Sequence, residues 1–252
     1  MRYLGDQFDI HTGGIDHIPV HHTNEIAQSE AASGQIFSHF WLHNNHLKVD
    51  GTKISKSLGN GYTLDDLKSR GFDANDFRVF VLQGHYKNEG NFTFENLGSA
   101  KNRINKWIAG AVLRHQTHKS IESEHDQLSR QETISLYDEA QAIVEALNND
   151  LDTPKALMVL DTAFSKLLSS NISDIHHHSL VHFLESIKEH LGIDLISPSP
   201  DISEDIKKLI IERKQARDKS DWQKSDEIRS QLAQMNINIS DRDNDMIWSY
   251  MN

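Results

Sequence analysis

From residue 97 onward the apolar residues recur at helical spacing, and this limits the fold more than any other feature. Leu97, Ala100, Ile104, Trp107, Ile108 and Ala111 form one stripe. Leu157, Leu160, Phe164, Leu167 and Leu168 form a second, and Leu180, Phe183, Leu184, Ile187 and Leu191 a third. With a period of 3.6 such positions share a helix face, and each stripe reads as a core-packing surface, not a ligand site. Two further stripes follow: Ile202, Ile206, Leu209, Ile210, then Ser225, Ile228, Leu232, Met235. Asn236-Ile237-Asn238-Ile239 and Met246-Ile247-Trp248 flank an Asp- and Asn-rich turn, which predicts a small hairpin. Before residue 57 the period is different. Phe8-Asp9-Ile10-His11 alternates like a short strand and Thr12-Gly13-Gly14 breaks it. Thr23 or Asn24 caps a helix over about 25–33 that stops at Ser33-Gly34. Phe40-Trp41-Leu42 and Leu47-Lys48-Val49 are strand candidates, and Asp50-Gly51 is a hairpin-type turn. Two polar stretches read as linkers: about 114–130, and 197–201, where Pro198 and Pro200 prevent a helix.

At 252 residues and 37% hydrophobic content, the chain has room for two or three small cores. No run of about 18 apolar residues is present, so no membrane span is expected. The start, Met1-Arg2-Tyr3-Leu4-Gly5-Asp6, has no apolar signal core, and a cytoplasmic location is the default expectation. There is no cysteine, so this chain offers neither a disulfide nor a thiolate metal ligand. The net charge of −11 taken alone opposes nucleic-acid binding. A local basic face is compatible with it, and Lys207, Lys208, Arg213, Lys214, Arg217 and Lys219 lie close together in the tail. His176-His177-His178 reads as exposed loop, because adjacent residues scatter around a helix and do not converge on a metal.

The densest chemical signal is Lys53-Ile54-Ser55-Lys56-Ser57, followed by Leu58-Gly59-Asn60. Two lysines three apart on a short polar loop can hold a polyanion, with serines and backbone N–H groups completing a phosphate cradle. A cation that meets a phosphoryl group as its charge develops stabilises the transition state. The plain alternative is a solvated Lys/Ser loop. Upstream, Gly13 and Gly14 permit close backbone approach to a nucleotide, having no Cβ. Asp16 is either an acceptor for ribose hydroxyls or a turn or cap residue. His21 and Glu25 stand at i and i+4, so one helical face presents both, either to a metal or to each other.

The order of these motifs resembles the cysteinyl-tRNA synthetases, a class I aminoacyl-tRNA synthetase family. KISKSLGN is similar to the family's KMSKS signature, with Ile54 in place of Met. His11-Thr12-Gly13-Gly14-Ile15-Asp16 and His21-His22-Thr23-Asn24-Glu25-Ile26-Ala27-Gln28-Ser29-Glu30 resemble its HxGGxD and HHxNEIAQSE segments. Trp41-Leu42-His43-Asn44 and Val49-Asp50-Gly51 fit its WxHNG and VDG, except that Asn45 replaces a glycine. Arg78 and His85-Tyr86-Lys87 resemble its R…HYR segment, with Lys87 for Arg, and Asn149-Asp150-Leu151-Asp152-Thr153-Pro154 resembles a DDLNTP-like segment. Arg213, Ala216-Arg217, Asp221-Trp222, Asp226, Ile228-Arg229 and Leu232 match the C-terminal pattern.

The resemblance implies a fold of α/β plus α. It divides into the second half of a class I Rossmann catalytic domain (1–57, with the KISKS loop), a stem-contact region (58–128), a helical bundle (129–196) and a small anticodon-binding domain (201–252). It implies ATP, with Mg2+, as substrate held by Gly13, Gly14, Asp16 and Lys56, with Lys53 and Lys56 catalytic. It implies a zinc ion on His21 and Glu25 plus two cysteines, which separates cysteine from serine by its preference for sulfur. His43 either lines the amino-acid pocket or packs. Arg78, His85, Tyr86, Arg213, Arg217, Trp222 and Arg229 are candidates for contact with tRNA(Cys), the alternatives being a solvated ion-paired surface and, for Trp222, the core of the small domain.

A complete family member also carries a His-Ile-Gly-His signature and two zinc cysteines upstream of the first residues matched here. The expectation is therefore a chain with part of the active site, inactive alone, which is either clipped or partnered by an N-terminal half. Two other readings stand beside it. One is a tRNA-binding fragment without chemistry. The other is a mycothiol-pathway cysteine ligase, which the tail disfavours.

Overall fold

The computed structural model describes residues 3–117, 133–242 and 245–251. β1 (Phe8–Gly14) and β2 (Ser38–Asn44) pair in parallel, and α1 (Thr23–Ser33) makes the crossover between them. Gly34, at φ 70°, ends α1 in the left-handed conformation a side chain disfavours. The strand does not stop at Thr12-Gly13-Gly14 as the glycines predict. It runs through Gly14, paired in register with Asn44.

β3 (Leu47–Val49) turns at Asp50-Gly51 into β4 (Thr52–Lys53). Both turn residues have positive φ, 49° and 73°, as a tight hairpin of this hand requires. α2 (Leu64–Ser69) and α3 (Ala74–Leu82) each start on a capping box, Thr63 with Asp66 and Asp73 with Asp76. β5 (Gly90–Phe92) then returns as the parallel neighbour of β3. Val49, Leu67, Phe92 and Leu97 share one small core. The boundary expected at residue 57 is therefore crossed: the KISKS hairpin and residues up to 97 form one packed unit, because β3 lacks a second neighbour until β5 arrives.

The main core belongs to α4 (Phe94–Ala111), α5 (Tyr137–Asn148), α6 (Thr153–Ser169) and α7 (His177–Leu191). All three predicted stripes face inward. Trp107, Phe164, Phe183, Leu160 and Leu184 are fully buried, and each contributes roughly 1.5–3 kcal/mol of transfer free energy. α4 and α6 approach so closely at Gly110 that a Cβ there would lie 2.4 Å from the Phe164 ring. Asp161 accepts from Arg103 at 2.7 and 3.0 Å and from the Trp107 indole at 2.9 Å, fixing the register of that pair. α4 thus belongs to the bundle, and the expected boundary at 128 lies outside the described residues.

The tail forms α8 (Glu204–Asp218), α9 (Trp222–Gln234) and the antiparallel pair β6 (Ile237–Arg242) and β7 (Asp245–Tyr250). Its core, built on Ile210, Ile228, Leu232, Ile239 and Trp248, also takes in Val112 from the end of α4. The linker expected from 114 is accordingly structured at its start. Arg114 is spent on the carbonyls of Ile196 and Ser199 and on the Ser199 hydroxyl. Gln116 exchanges hydrogen bonds with the backbone of Trp248. The rest of that linker, 118–130, lies outside the described residues. His176 is not loop: its Nδ1 accepts from Ser179 N, capping α7, and His177 and His178 form the first turn. No helix among the described residues is long and apolar enough to cross a membrane.

Candidate functional site

The carboxyl ends of β1 and β2, Gly14 and Asn44, open onto a cleft of about 560 Å³. Open parallel sheets bind ligands at this end of their strands. Asn45, His46, Lys48, Lys53, Ile54 and Glu89 complete its lining. Lys48 is neutralised by Glu89 at 2.8 Å, which leaves Lys53 as the cleft lysine without an ion pair among the described residues. Asp16 stands at the mouth, over half exposed, and His46 Nε2 lies 3.4 Å from its Oδ1. Its carboxylate curls back over Gly14, where a Cβ would meet Oδ1 at 2.4 Å. Gly14, Asp16 and Lys53 are thus brought to one place.

Gly13 is not part of that lining. A Cβ there would meet the His22 ring at 2.6 Å and His17 Nδ1 at 2.9 Å. Its smallness serves a histidine cluster behind the cleft, which corrects the expectation that it admits a nucleotide.

The KISKS loop is held by a residue that charge reasoning passes over. Asn60 Oδ1 accepts from Ser55 N at 2.9 Å, and its Nδ2 donates to Lys53 O at 3.2 Å. Ser55 and Ser57 hydroxyls pair at 3.1 Å. Lys56 opens a single 3-10 turn, Lys56–Leu58, and its side chain lies outside the described residues. Ile54 lies between the cleft and an apolar pocket of about 160 Å³ walled by Val49, Tyr62, Leu67 and Phe92.

Beside the cleft, β1, β2 and the short helical turns Ile15–His17 and Ile18–His22 that lead into α1 assemble a cluster of imidazoles. Glu25 joins two of them: Oε2 lies 2.9 Å from His11 Nε2, and Oε1 lies 3.6 Å from His21 Nε2. The i, i+4 spacing of His21 and Glu25 does place both on one face. His11, which spacing alone does not single out, completes the group. His22 is buried, with Nδ1 2.7 Å from His43 Nε2. Burial, then the neighbouring His11 and His43, hold the His22 imidazole below its ordinary pKa and favour the neutral form. The Trp41 ring stacks parallel to His43 and meets His11 edge-on, 4.8 Å away. Ligand atoms of His11, His22 and Glu25 lie within 4.8 Å of one another, as do those of His17, His21 and His22. Nitrogen and carboxylate donors at this spacing fit a divalent ion of zinc's character, and any thiolate ligand must come from outside this chain.

The RNA-contact candidates fall into three places. Arg78 is an exposed residue of α3 whose guanidinium lies over Gly192, the left-handed cap of α7. His85, Tyr86 and Lys87 are engaged by one residue, Asp150. Tyr86 Oη donates to Oδ1 at 2.7 Å, Lys87 Nζ to Oδ2 at 2.5 Å, and the His85 ring meets the Asp150 carbonyl at 3.0 Å. In the tail, Arg213 corrects the expectation. It is 1% exposed and bidentate to Asp241 at 2.7 and 2.9 Å, so it is interior structure and no polymer reaches it. Arg217 shares Asp241 at 3.3 Å and lies 5.5 Å from the Trp222 ring centroid. Trp222 is 57% exposed, not part of the small core, and Arg229 is exposed. Lys207 and Lys208, by contrast, are paired with acidic neighbours.

Comparison with known proteins agrees with this layout. The family model described as tRNA synthetases class I (C) catalytic domain matches residues 1–102, and that described as Cysteinyl-tRNA ligase anticodon binding domain matches residues 199–248. The cysteine-tRNA ligase of Treponema denticola is 35% identical over 272 aligned positions, covering 98% of this chain and 54% of its own length. That of Chlamydia caviae is 37% identical over 247, covering 96% and 51%. The chain therefore spans about half the length of the curated relatives it matches. A crystal structure of Agrobacterium radiobacter LeuRS, in a ternary complex with tRNA and LeuAMS, superposes with a TM-score of 0.57 at 16% identity over 77% of this chain and 27% of that one, a likeness of fold alone.

Proposed function

The chain belongs to the cysteinyl-tRNA synthetase family of class I aminoacyl-tRNA synthetases, and on that premise we propose that it supplies half of a cysteine-tRNA ligase. The reaction has two steps. The carboxylate of L-cysteine attacks the α-phosphate of ATP, displacing pyrophosphate, and the 3′-terminal ribose of tRNA(Cys) then takes the cysteinyl group from the adenylate. The observation that carries this reading is the convergence of Gly14, Asp16, Lys53 and Ile54 on one cleft, beside the His11, His21 and Glu25 cluster.

Each group has a role that its chemistry supports. Gly14 lines the cleft and, having no Cβ, makes room for the Asp16 carboxylate, and Asp16, exposed at the mouth, accepts from ribose hydroxyls. Lys53 and Lys56 neutralise the triphosphate, with its Mg2+, as pyrophosphate departs, so their contribution is electrostatic and grows in the transition state. His21 and Glu25 are suited to hold zinc, with His11 orienting the carboxylate. A zinc ion bound there supplies a soft Lewis acid that prefers the substrate thiolate to a hydroxyl. The exposed Trp222, with Arg217 and Arg229 on the same small domain, is suited to stacking an unpaired base and holding phosphates of the anticodon loop. A cytoplasmic setting goes with such a reaction.

The partner chemistry follows from the sheet. Ile10, Val20 and Phe40 are 63, 64 and 68% exposed around a two-stranded parallel pair, a surface that parallel sheets normally cover on both faces. A polypeptide corresponding to the other half of the relatives' length is proposed to cover it and to bring thiolate ligands. Without it the chain is not expected to make cysteinyl-adenylate. Photolabelling with 8-azido-ATP and Mg2+ tests the cleft. Label is expected on peptides within residues 44–56, lost with excess ATP and reduced in Lys53→Ala. Label elsewhere, or unchanged by both, overturns the assignment.

A further inference from the structure

The segment 149–154 stood out in the sequence without a role, and its backbone is unusual. Asp150 and Leu151 are consecutive non-glycine residues at φ 57° and 54°. The left-handed conformation is unfavourable for any residue with a Cβ, and Leu151 gains no burial from it, being 45% exposed. What the corner achieves is to aim one residue at another part of the fold. The Asp150 carboxylate takes both the Tyr86 hydroxyl and the Lys87 ammonium, and its carbonyl meets the His85 ring. Those two donors hold its carboxyl below the usual range.

The far side of the 85–87 turn carries the contact onward. Asn45 N donates to Tyr86 O at 2.8 Å and Asn45 Nδ2 to Lys87 O at 3.1 Å. Asn45 Oδ1 in turn accepts from His46 N at 2.8 Å, and Gly90 N donates to His46 O at 2.9 Å. Asn45 and His46 are wall residues of the nucleotide cleft, and His46 faces Asp16. The replacement of a motif glycine by Asn45 is what adds the side-chain half of this linkage.

We propose that Asp150 is a positioning residue for the cleft: it fixes the 85–87 turn through Tyr86 and Lys87, and the turn fixes Asn45 and His46 in the wall. An isolated exposed ion pair would do little of this; three neighbouring residues converging on a strained corner constrain the turn in a way one pair does not. The corner between α5 and α6 of the helical bundle is thereby connected to the wall of the cleft. The nucleotide arm of the test rests on the function proposed above, and the exchange arm does not.

The test uses the full chain carrying Asp150→Gly, which removes the carboxylate while accommodating positive φ. Asp152→Ala is the control: Asp152 caps α6 at the same corner, accepting from Lys155 N, and among the described residues its side chain makes no hydrogen bond or ion pair with the turn. Tyr86→Phe is a milder second variant with little folding hazard. Asp150→Gly is expected to raise amide hydrogen exchange at Asn45 and His46 by about fivefold or more and to weaken Mg-ATP binding several-fold. Tyr86→Phe should shift both in the same direction, and Asp152→Ala neither. In the enzyme assembled with the other half, KM for ATP should rise with kcat little changed. Unchanged exchange at Asn45 in Asp150→Gly, or equal changes in Asp152→Ala, overturns the proposal. A wild-type chain that binds no Mg-ATP, with the exchange result intact, counts against the nucleotide reading alone.

Discussion

Removing Asp241 separates the two roles available to Arg213. The guanidinium is buried with both terminal nitrogens on Asp241, and its Nε has no hydrogen-bond partner among the described residues. Asp241→Ala leaves a charge stranded in the tail core. Breaking such a pair from one side costs about 3–5 kcal/mol, and the partial exposure of Asp241 places this case near the lower end, about 3 kcal/mol. Arg213→Met removes the charge together with its desolvation penalty, so its cost should be within about 1 kcal/mol. Acid adds a check of sign. The hydrogen bonds of Arg213, then the charges of Arg213, Arg217 and Arg229, hold the Asp241 carboxyl below its ordinary value. Its folded pKa is therefore below its unfolded one. The stabilisation is complete above the ordinary value near 3.8 and is lost as pH falls through the folded pKa. Urea unfolding at pH 7 and across pH 2–5, with tRNA titrations in parallel, measures all of this. Arg213→Met should keep tRNA affinity. A folded Arg213→Met protein that loses tenfold in affinity, with a salt slope shallower by about 1, would refute the interior assignment.

Three further outcomes are expected. Gly110→Ala should destabilise the bundle by about 1–3 kcal/mol in thermal unfolding, because the new methyl meets the Phe164 ring and overrides the gain in helix propensity. Asn60→Ala removes two loop hydrogen bonds, each contributing about 0.5–1.5 kcal/mol, so amide exchange at Ser55 should accelerate roughly tenfold with global stability little changed. Trp222→Ala should alter stability by less than about 0.5 kcal/mol, since the ring is exposed, while RNA affinity falls by about 1–3 kcal/mol if the ring stacks a base.

The parts of the fold legible from the sequence are those whose signal is local. The helical stripes of α4, α6 and α7 survive because apolar spacing and burial are the same fact seen twice. The His21 and Glu25 pairing follows from spacing within a single helical run, whereas the two lysines of KISKS by themselves fit a polyanion site and a solvated loop equally, and it is the order of the motifs around them that favours the first. What was not legible depends on partners far along the chain. The boundary at 57 failed because β5, some forty residues downstream, completes the sheet of β3. Arg213 looked like part of a basic face because sequence displays its charge and not the carboxylate 28 residues away. Thr12-Gly13-Gly14 looked like a strand break, whereas Gly13 is small to admit the rings of His17 and His22. Asn60, Asn45 and His11 carry no charge signal. The departure of Asn45 from the motif glycine was the available clue to the linkage that it makes.

The central claim is that the cleft and histidine cluster form one half of a cysteine-activating centre. Cysteine-dependent ATP–pyrophosphate exchange tests it most directly, measured with the chain alone and with a polypeptide corresponding to the remaining half of its relatives. The account predicts no exchange from the chain alone, exchange on mixing, and loss of that exchange in Lys53→Ala and Glu25→Ala. Robust exchange by the chain alone, or a stable mixed complex that exchanges equally well without Lys53 and Glu25, would contradict it.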